Sequence, residues 1–490
     1  MAAIITEKFR THNAKQFIED FSESGQSNYV FIGRPHAWSD DTSPPAPANS
    51  ELEEIQAYED MIALKKVSST DISHGLVRYN WTTGTKYDEW RHNYSSSNTT
   101  NVTNVSNFYD GRGYVITDEF KVYKCLKTGM SGGSTVNSTV KPTHTSIAVE
   151  SDGYMWKFMY SVIASDVIKF VTNDFIPVKT LGAKNAVAGS GTNGGYGTTA
   201  TNDGSAQWDV ESTAVDGAIY HYVVTAAGSG YQNDASATTF TLNVAVEGDG
   251  SGAEATLSFA SGALSSVVFK DASSYGTGYK RASFPTLNST LSGLSQGSGA
   301  SITPIISPIN GHGANPIEEL GGNYCIVNSR LEFGEGSGDF PVDNDFRRIG
   351  LIKNPVQSSD SAIATGASMT ATNQLTVASD TNISVDDILT DAASESATTA
   401  KVRVVSKKGS NVITTLPIVN SGGEYVAFAN SDEVFVNGAG TKSTDVTGSG
   451  VSSAHPEMTR FTGQILYVEN RGAVTRAADQ IEDIKLIIEM

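Results

Sequence analysis

The stretch that most constrains the fold is the last one, Phe461 to Met490, FTGQILYVENRGAVTRAADQIEDIKLIIEM. Ile484, Leu486, Ile488 and Met490 alternate with Asp483, Lys485, Ile487 and Glu489. That is the period of a half-buried strand. Gln464 to Val468 is a second β-rich run. Between them, Glu469-Asn470-Arg471-Gly472 has turn chemistry, and Ala473 to Gln480 predicts a turn or two of helix. Burying the four even-numbered apolar residues would contribute roughly 6–12 kcal/mol as an upper bound. So apolar a strand at the end of a chain is expected to complete a core begun far upstream.

The chain has 490 residues, more than one domain by size alone. It carries 47 glycines and only 18% charged residues, a β-leaning composition. A net charge of −19 argues against a general nucleic-acid binder, because phosphate contacts need a basic face. Cys125 and Cys325 sit in apolar strand-like contexts, VYKCL and NYCIV, and read as reduced core thiols. The first residues, MAAIITEKFR, become polar too early for a signal peptide, and no run approaches the ~18 apolar residues of a membrane span. A soluble protein made in the cytoplasm is expected.

Ile4 to Arg10 reads as a short strand or arm. Asn13 with Gln16 fits a capping box, followed by an apolar face of Ala14, Phe17, Ile18 and Phe21. Tyr29 to Ile32 is a strand stopped by Gly33-Arg34-Pro35. Ser50 caps a second helix with Glu53 at N3, which the pattern carries to Lys65 and Lys66, with Leu52, Ile55 and Ile62 facing inward. The best strands after it are Leu76–Trp81, Tyr114–Thr117, Phe120–Leu126, Tyr154–Val162 and Phe175–Val178, with Ser95 to Asn107 an exposed loop.

From Leu181 the charge falls and a tandem repeat is visible. Gly228-Ser229-Gly230-Tyr231 precedes Gly250-Ser251-Gly252-Ala253, and Gly276-Thr277-Gly278-Tyr279 precedes Gly297-Ser298-Gly299-Ala300. Two copies of a Gly-turned β unit predict a short solenoid or a prism-like barrel. Ser358 to about Ser453 is a second Gly/Ser/Thr-rich region with a small barrel or sandwich pattern. The expected architecture is mainly β: a discontinuous β-sandwich core with two short N-terminal helices, formed by 1–180, 311–357 and 456–490. Small all-β modules at 181–310 and 358–455 interrupt it.

Little chemistry shows. The eight histidines form no zinc pattern. Gly129-Met130-Ser131-Gly132-Gly133 satisfies Gly-X-Ser-X-Gly, but no helix-forming run follows, so a plain turn is expected. Asp339, Asp343 and Asp345 are close enough in sequence to hold Ca²⁺, although a solvated loop explains them as well. Catalytic, cofactor and metal residues are therefore all expected to be absent.

Five motifs in chain order resemble a family. Lys8-Phe9-Arg10-Thr11, and Phe31-Ile32-Gly33-Arg34-Pro35-His36-Ala37-Trp38, are similar to the N-terminus of a baseplate wedge subunit of T-even-type contractile-tailed phages. Asp152 to Phe158, Phe346-Arg347-Arg348-Ile349 with Asn354-Pro355, and Gly463 to Arg471 with Asp479 to Ile488 are similar to later motifs of that family. The two inserted modules have no counterpart in it, and decoration of this kind resembles wedge proteins of marine cyanobacterial phages. The resemblance implies a non-enzymatic virion component of the tail baseplate, mainly β and homodimeric, that binds neighbouring wedge subunits and neither nucleic acid nor membrane. Its interface candidates are Phe17, Ile18 and Phe21 on the first helix, Arg34 and Trp38 on the following loop, and Glu469 and Arg471 near the end. The rival readings are a carbohydrate-binding tail adhesin with sugar-binding inserts and a polysaccharide-degrading tail enzyme.

Overall fold

The computed structural model describes residues 3–131, 133–181, 205–332, 340–394, 396–438, 440–478 and 480–490. Strands hold 42% of the residues and helices 10%, which makes the fold mainly β as expected. The chain divides into two compact units. One comprises 1–15, 73–326 and 487–490, and the other comprises 16–72 and 327–486.

The second unit is built on a five-stranded antiparallel sheet. Its order is Ser368–Thr370, Met61–Val67, Asn28–Gly33, Asn344–Lys353 and Gln464–Arg476. Asn28–Gly33 is buried at every position, as its β-branched and aromatic composition demands. Tyr29, Phe31, Leu64, Ile352 and Met369 form one core beneath it. Beyond the sheet, six strands between Asn373 and Val451 close a small barrel around Leu375, Leu389, Val402, Val404 and Ile413. The barrel pattern read in this stretch is therefore present.

The first unit contains a four-stranded sheet in the order Tyr114–Ile116, Lys121–Lys127, Met155–Ser161 and Ile147–Val149. Both faces are covered. Tyr123, Cys125, Trp156 and Phe158 pack on one side, and Tyr114, Ile116, Val122 and Tyr160 on the other. Cys125 and Cys325 are free and buried.

The tandem repeat forms one domain with a single core. The two copies do not stack as a solenoid would; they interlock. Ala227 pairs with Ala300 and Ser229 with Ser298, while Ser251 pairs with Thr277 and Ala253 with Tyr275. Each Gly-X-Gly-Tyr turn thus lies on the Gly-Ser-Gly-Ala turn of the other copy. The tyrosine hydroxyls complete the exchange. Tyr231 Oη accepts from Ala300 N at 2.9 Å and donates to the Leu287 carbonyl at 3.1 Å. Tyr279 Oη does the same at Ala253 N and the Val246 carbonyl, at 3.4 and 3.3 Å. Glycine is required here: Gly228 has φ +62°, and a Cβ on it would stand 2.4 Å from Ala300 N.

Three local expectations fail. The first helix runs Glu7–Asp20, so Ile4 to Arg10 is not a strand and Asn13 is mid-helix. Thr6 starts it, its carbonyl accepting from Phe9 N and Arg10 N and its hydroxyl from Phe9 N. The second helix, capped by Ser50 on Glu53 N as expected, stops at Asp60. Met61 turns extended and Lys65 and Lys66 lie in a strand. Sheet pairing overrides helix propensity there. Leu52 and Ile55 consequently face solvent, and Ala57 is the helix's buried residue. Lastly, Glu469 to Gly472 is no turn and Ala473 to Gln480 no helix. Gln464–Arg476 is one strand in which Phe346 pairs with Val474 but Arg348 with Asn470. Glu469 and Asn470 stay in register, and Arg471 to Ala473 are taken up as a bulge. The closing strand is Ile481–Glu489, with Ile484 and Leu486 buried and Ile488 half-buried.

Candidate functional site

The strand Asn28–Gly33 ends at Gly33, whose added Cβ would meet the Asp60 carbonyl at 2.9 Å. Arg34 follows with φ +55°. A residue before proline favours extended backbone, so this left-handed conformation must be held by its surroundings. It is held twice: Arg34 N donates to the Asp60 carbonyl at 2.9 Å, and its guanidinium reaches Asp60 Oδ2 at 3.4 Å. The chain then brings Trp38 back under it, with Arg34 Cζ 3.5 Å from the indole centroid.

Trp38 is fixed on three further sides. Its backbone N–H donates to Asp41 Oδ1 at 2.8 Å, its Nε1 donates to the Arg471 carbonyl at 2.8 Å, and Arg348 Cζ lies 5.8 Å from its ring. Arg348 is 1% exposed and donates to Glu53 Oε1 at 2.6 Å, Asn470 Oδ1 at 2.9 Å and Asp60 Oδ2 at 3.3 Å. Arg347 projects elsewhere, donating to both carboxyl oxygens of Asp41, to Asp345 and to the Pro35 carbonyl.

The electrostatics follow from this crowding. Burial raises the Asp60 carboxyl above its ordinary range, against the opposing pull of Arg348 and Arg34. Burial, reinforced by Arg34 and Arg403, lowers His36 to about 3, so its imidazole is neutral at pH 7. The Arg347 hydrogen bond holds Asp41 below the usual carboxylate range. A cleft of about 290 Å³ lies beside the cluster, lined by Arg34, His36, Glu59, Asp60, Arg403 and Tyr425. Tyr425, on the barrel, hydrogen-bonds the Glu59 carboxylate. Arg460 also ties the barrel's approach to the helix, donating to the carbonyls of Tyr58, Glu59 and Ala371.

Of the seven interface candidates, the fold brings four together. Arg34 and Trp38 stack, the Arg471 carbonyl takes the indole proton, and Glu469 lies 3.8 Å from the exposed Arg471 side chain. Phe17, Ile18 and Phe21 lie apart. Phe17 meets Phe21 edge to face at 5.4 Å, Phe21 is buried, and Phe17 and Ile18 are half-buried. Sequence reasoning missed Glu53, Asp60, Asn470 and Arg348 as partners. A pair of arginines inside an apolar strand was the available signal, since buried cations must find carboxylates.

Gly129 to Gly133 is part of a hairpin of Met130–Ser131 with Ser134–Thr135; Gly132 lies outside the described residues. Asp339 also lies outside them, while Asp345 is engaged by Arg347 and Thr475. Among the described residues no group of three or more His, Cys, Asp or Glu is placed to hold a metal ion, and no helix is long and apolar enough to cross a membrane.

A network of this kind holds the loop in one conformation and leaves its charges balanced within itself. Residues 3–149 match a family model described as Bacteriophage T4, Gp8. The match spans under a third of the 490-residue chain. It supports a structural protein of a T4-type phage baseplate, located in the virion tail. No curated protein matches the chain.

Proposed function

We propose that the chain is a baseplate wedge subunit of a contractile tail, that it pairs with a second copy of itself, and that it docks neighbouring wedge subunits. The observation that carries this reading is the family match over residues 3–149. That stretch contains Phe17, Ile18, Phe21, Arg34 and Trp38, five of the seven interface candidates. The rigid Arg34–Trp38 clamp supports it physically: a preordered loop loses little conformational entropy when a partner binds. The role is structural rather than enzymatic, the host is a cyanobacterium, and the repeat domain within 181–310 and the barrel within 358–455 are insertions in a baseplate core. The strand pairing supports such insertions: Ile219 and Ile306 lie side by side at the base of the repeat domain, and Ser358 N donates to the Glu457 carbonyl at 2.7 Å.

Immunogold electron microscopy of the virion tests this. Label at the tail end distal to the head is expected. Label on the head, or none on intact particles, contradicts the reading.

A further inference from the structure

A second cleft, of about 430 Å³, lies in the first unit, walled by the strands at Ile147 and Lys157, the helix Ser205–Ser212 and the repeat domain. Its floor holds Lys157, 7% exposed. Lys157 is the cross-strand neighbour of Lys124, which is fully buried. The Glu319 carboxylate attracts both, but its oxygens are already engaged. Oε1 takes Lys124 Nζ at 2.7 Å and His312 Nδ1 at 2.5 Å, and Oε2 takes Gly313 N at 2.5 Å. Lys157 itself makes no hydrogen bond and no ion pair within 4 Å among the described residues. A nearly buried ammonium in that state is destabilising unless an anion reaches it.

The walls say more about the anion. Tyr220 and Tyr275 stand side by side, ring centroids 4.9 Å apart at 34°, and both line the cleft. Neither hydroxyl hydrogen-bonds another described residue, and both stay open to solvent or a ligand. Thr145, Ser146 and Asp209, all exposed, also line the cleft. Aromatic faces beside accessible hydroxyls suit a ring with an apolar C–H face and a polar edge. The volume is that of a small-ligand site rather than a protein interface. The −19 net charge repels long polyanions, so an anion must be short enough to reach Lys157 past the surface field.

We propose that this cleft binds a short acidic saccharide, its carboxylate on Lys157, its pyranose face on Tyr220 and Tyr275, and its hydroxyls on Asp209, Thr145 and Ser146. This does not depend on the baseplate reading.

Calorimetric titration of the full chain with tri-galacturonate, its methyl ester and a tri-glutamate peptide tests it. Saturable binding of tri-galacturonate is expected, with at least about tenfold weaker binding of the ester. K157M and Y275A should each lose about tenfold. No binding of tri-galacturonate overturns the proposal, as does equal binding of the ester, or unchanged binding by a K157M protein whose circular dichroism is native. Equal or tighter binding of tri-glutamate overturns the saccharide assignment in favour of an acidic peptide. Should K157M fail to fold, the acid-against-ester comparison on the unaltered chain still decides.

Discussion

The indole Nε1 of Trp38 donates to the carbonyl oxygen of Arg471 at 2.8 Å, across 433 positions of sequence. The bond ties the loop after the first strand to the bulge of the strand Gln464–Arg476. W38F keeps a ring for Arg34 but removes the donor, and should cost about 1 kcal/mol. W38A should cost about 2–3 kcal/mol, since the stacking face is lost as well. Urea unfolding of the two variants checks the difference.

Arg348 meets two carboxylates that have little other access to water, with Glu53 and Asp60 side chains 15% and 14% exposed. Removing the cation strips Glu53 of its ion-pair partner and leaves Asp60 with Arg34 alone as a cationic neighbour. R348M should therefore destabilise by about 3–5 kcal/mol. Adding E53Q to R348M should recover part of that loss. A double variant no better than the single one would show that the cost is packing rather than charge.

The interlocked repeat predicts a contrast between glycines of the same sign of φ. Gly228 and Gly84 have φ +62° and +82°, but a Cβ at 228 collides with Ala300 N and Ser298 O, while at 84 nothing lies within 4 Å. G84A should cost about 1 kcal/mol and G228A more than about 3 kcal/mol, read by thermal melting.

His312 sets a pH dependence in the first unit. Burial, with Lys124 beside it, lowers it from an ordinary 6.5 to about 4. Between those values the unfolded chain holds the proton and the folded chain does not, so each fall in pH favours unfolding. Stability should drop as pH falls from about 6.5 to about 4, by the order of 2 kcal/mol from this group. The Glu319 carboxyl, held to about 2 because Lys124 and His312 outweigh its burial, extends the loss as pH falls from 4.5 toward 2. H312Q should flatten the upper part of the curve in chemical denaturation between pH 4 and 6.5.

The barrel can be removed only along its own boundary. Ser368–Thr370 belongs to the five-stranded sheet, and Ala364, Met369 and Ala371 to its core. Replacing 373–451 by a short linker should leave soluble protein, because Leu375 pairs with Val451 and the ends lie side by side. Replacing 358–455 should not. Expression and circular dichroism of the two deletions measure this.

Periodicity exposed the closing strand because alternation survives where one face is covered, as at Ile484 and Leu486, while Tyr114–Ile116 and Met155–Ser161, covered on both faces, were legible from their aromatic and apolar runs. It could not reveal where Met61 leaves the helix, since Met-Ile-Ala-Leu-Lys-Lys suits either state and only pairing with Asn28–Gly33 decides. The bulge after Asn470 was hidden likewise, Glu469 to Gly472 being residues of a turn until Arg348 and Asn470 are seen opposite each other. Arg34 and Trp38 were legible as candidates because the motif from Phe31 to Trp38 resembles the N-terminus of the baseplate family. Their partners on the Glu51–Asp60 helix and the Asn344–Lys353 strand were not, because only the fold brings them together.

The most direct measurement of the central claim is assembly. Sedimentation velocity of the pure chain, alone and mixed with the other baseplate subunits of its phage, should show a dimer that forms a larger complex of fixed stoichiometry. A charge reversal at the exposed Arg471, R471E, should weaken that complex while leaving the dimer's melting temperature unchanged. A strict monomer that joins none of those subunits would contradict the account.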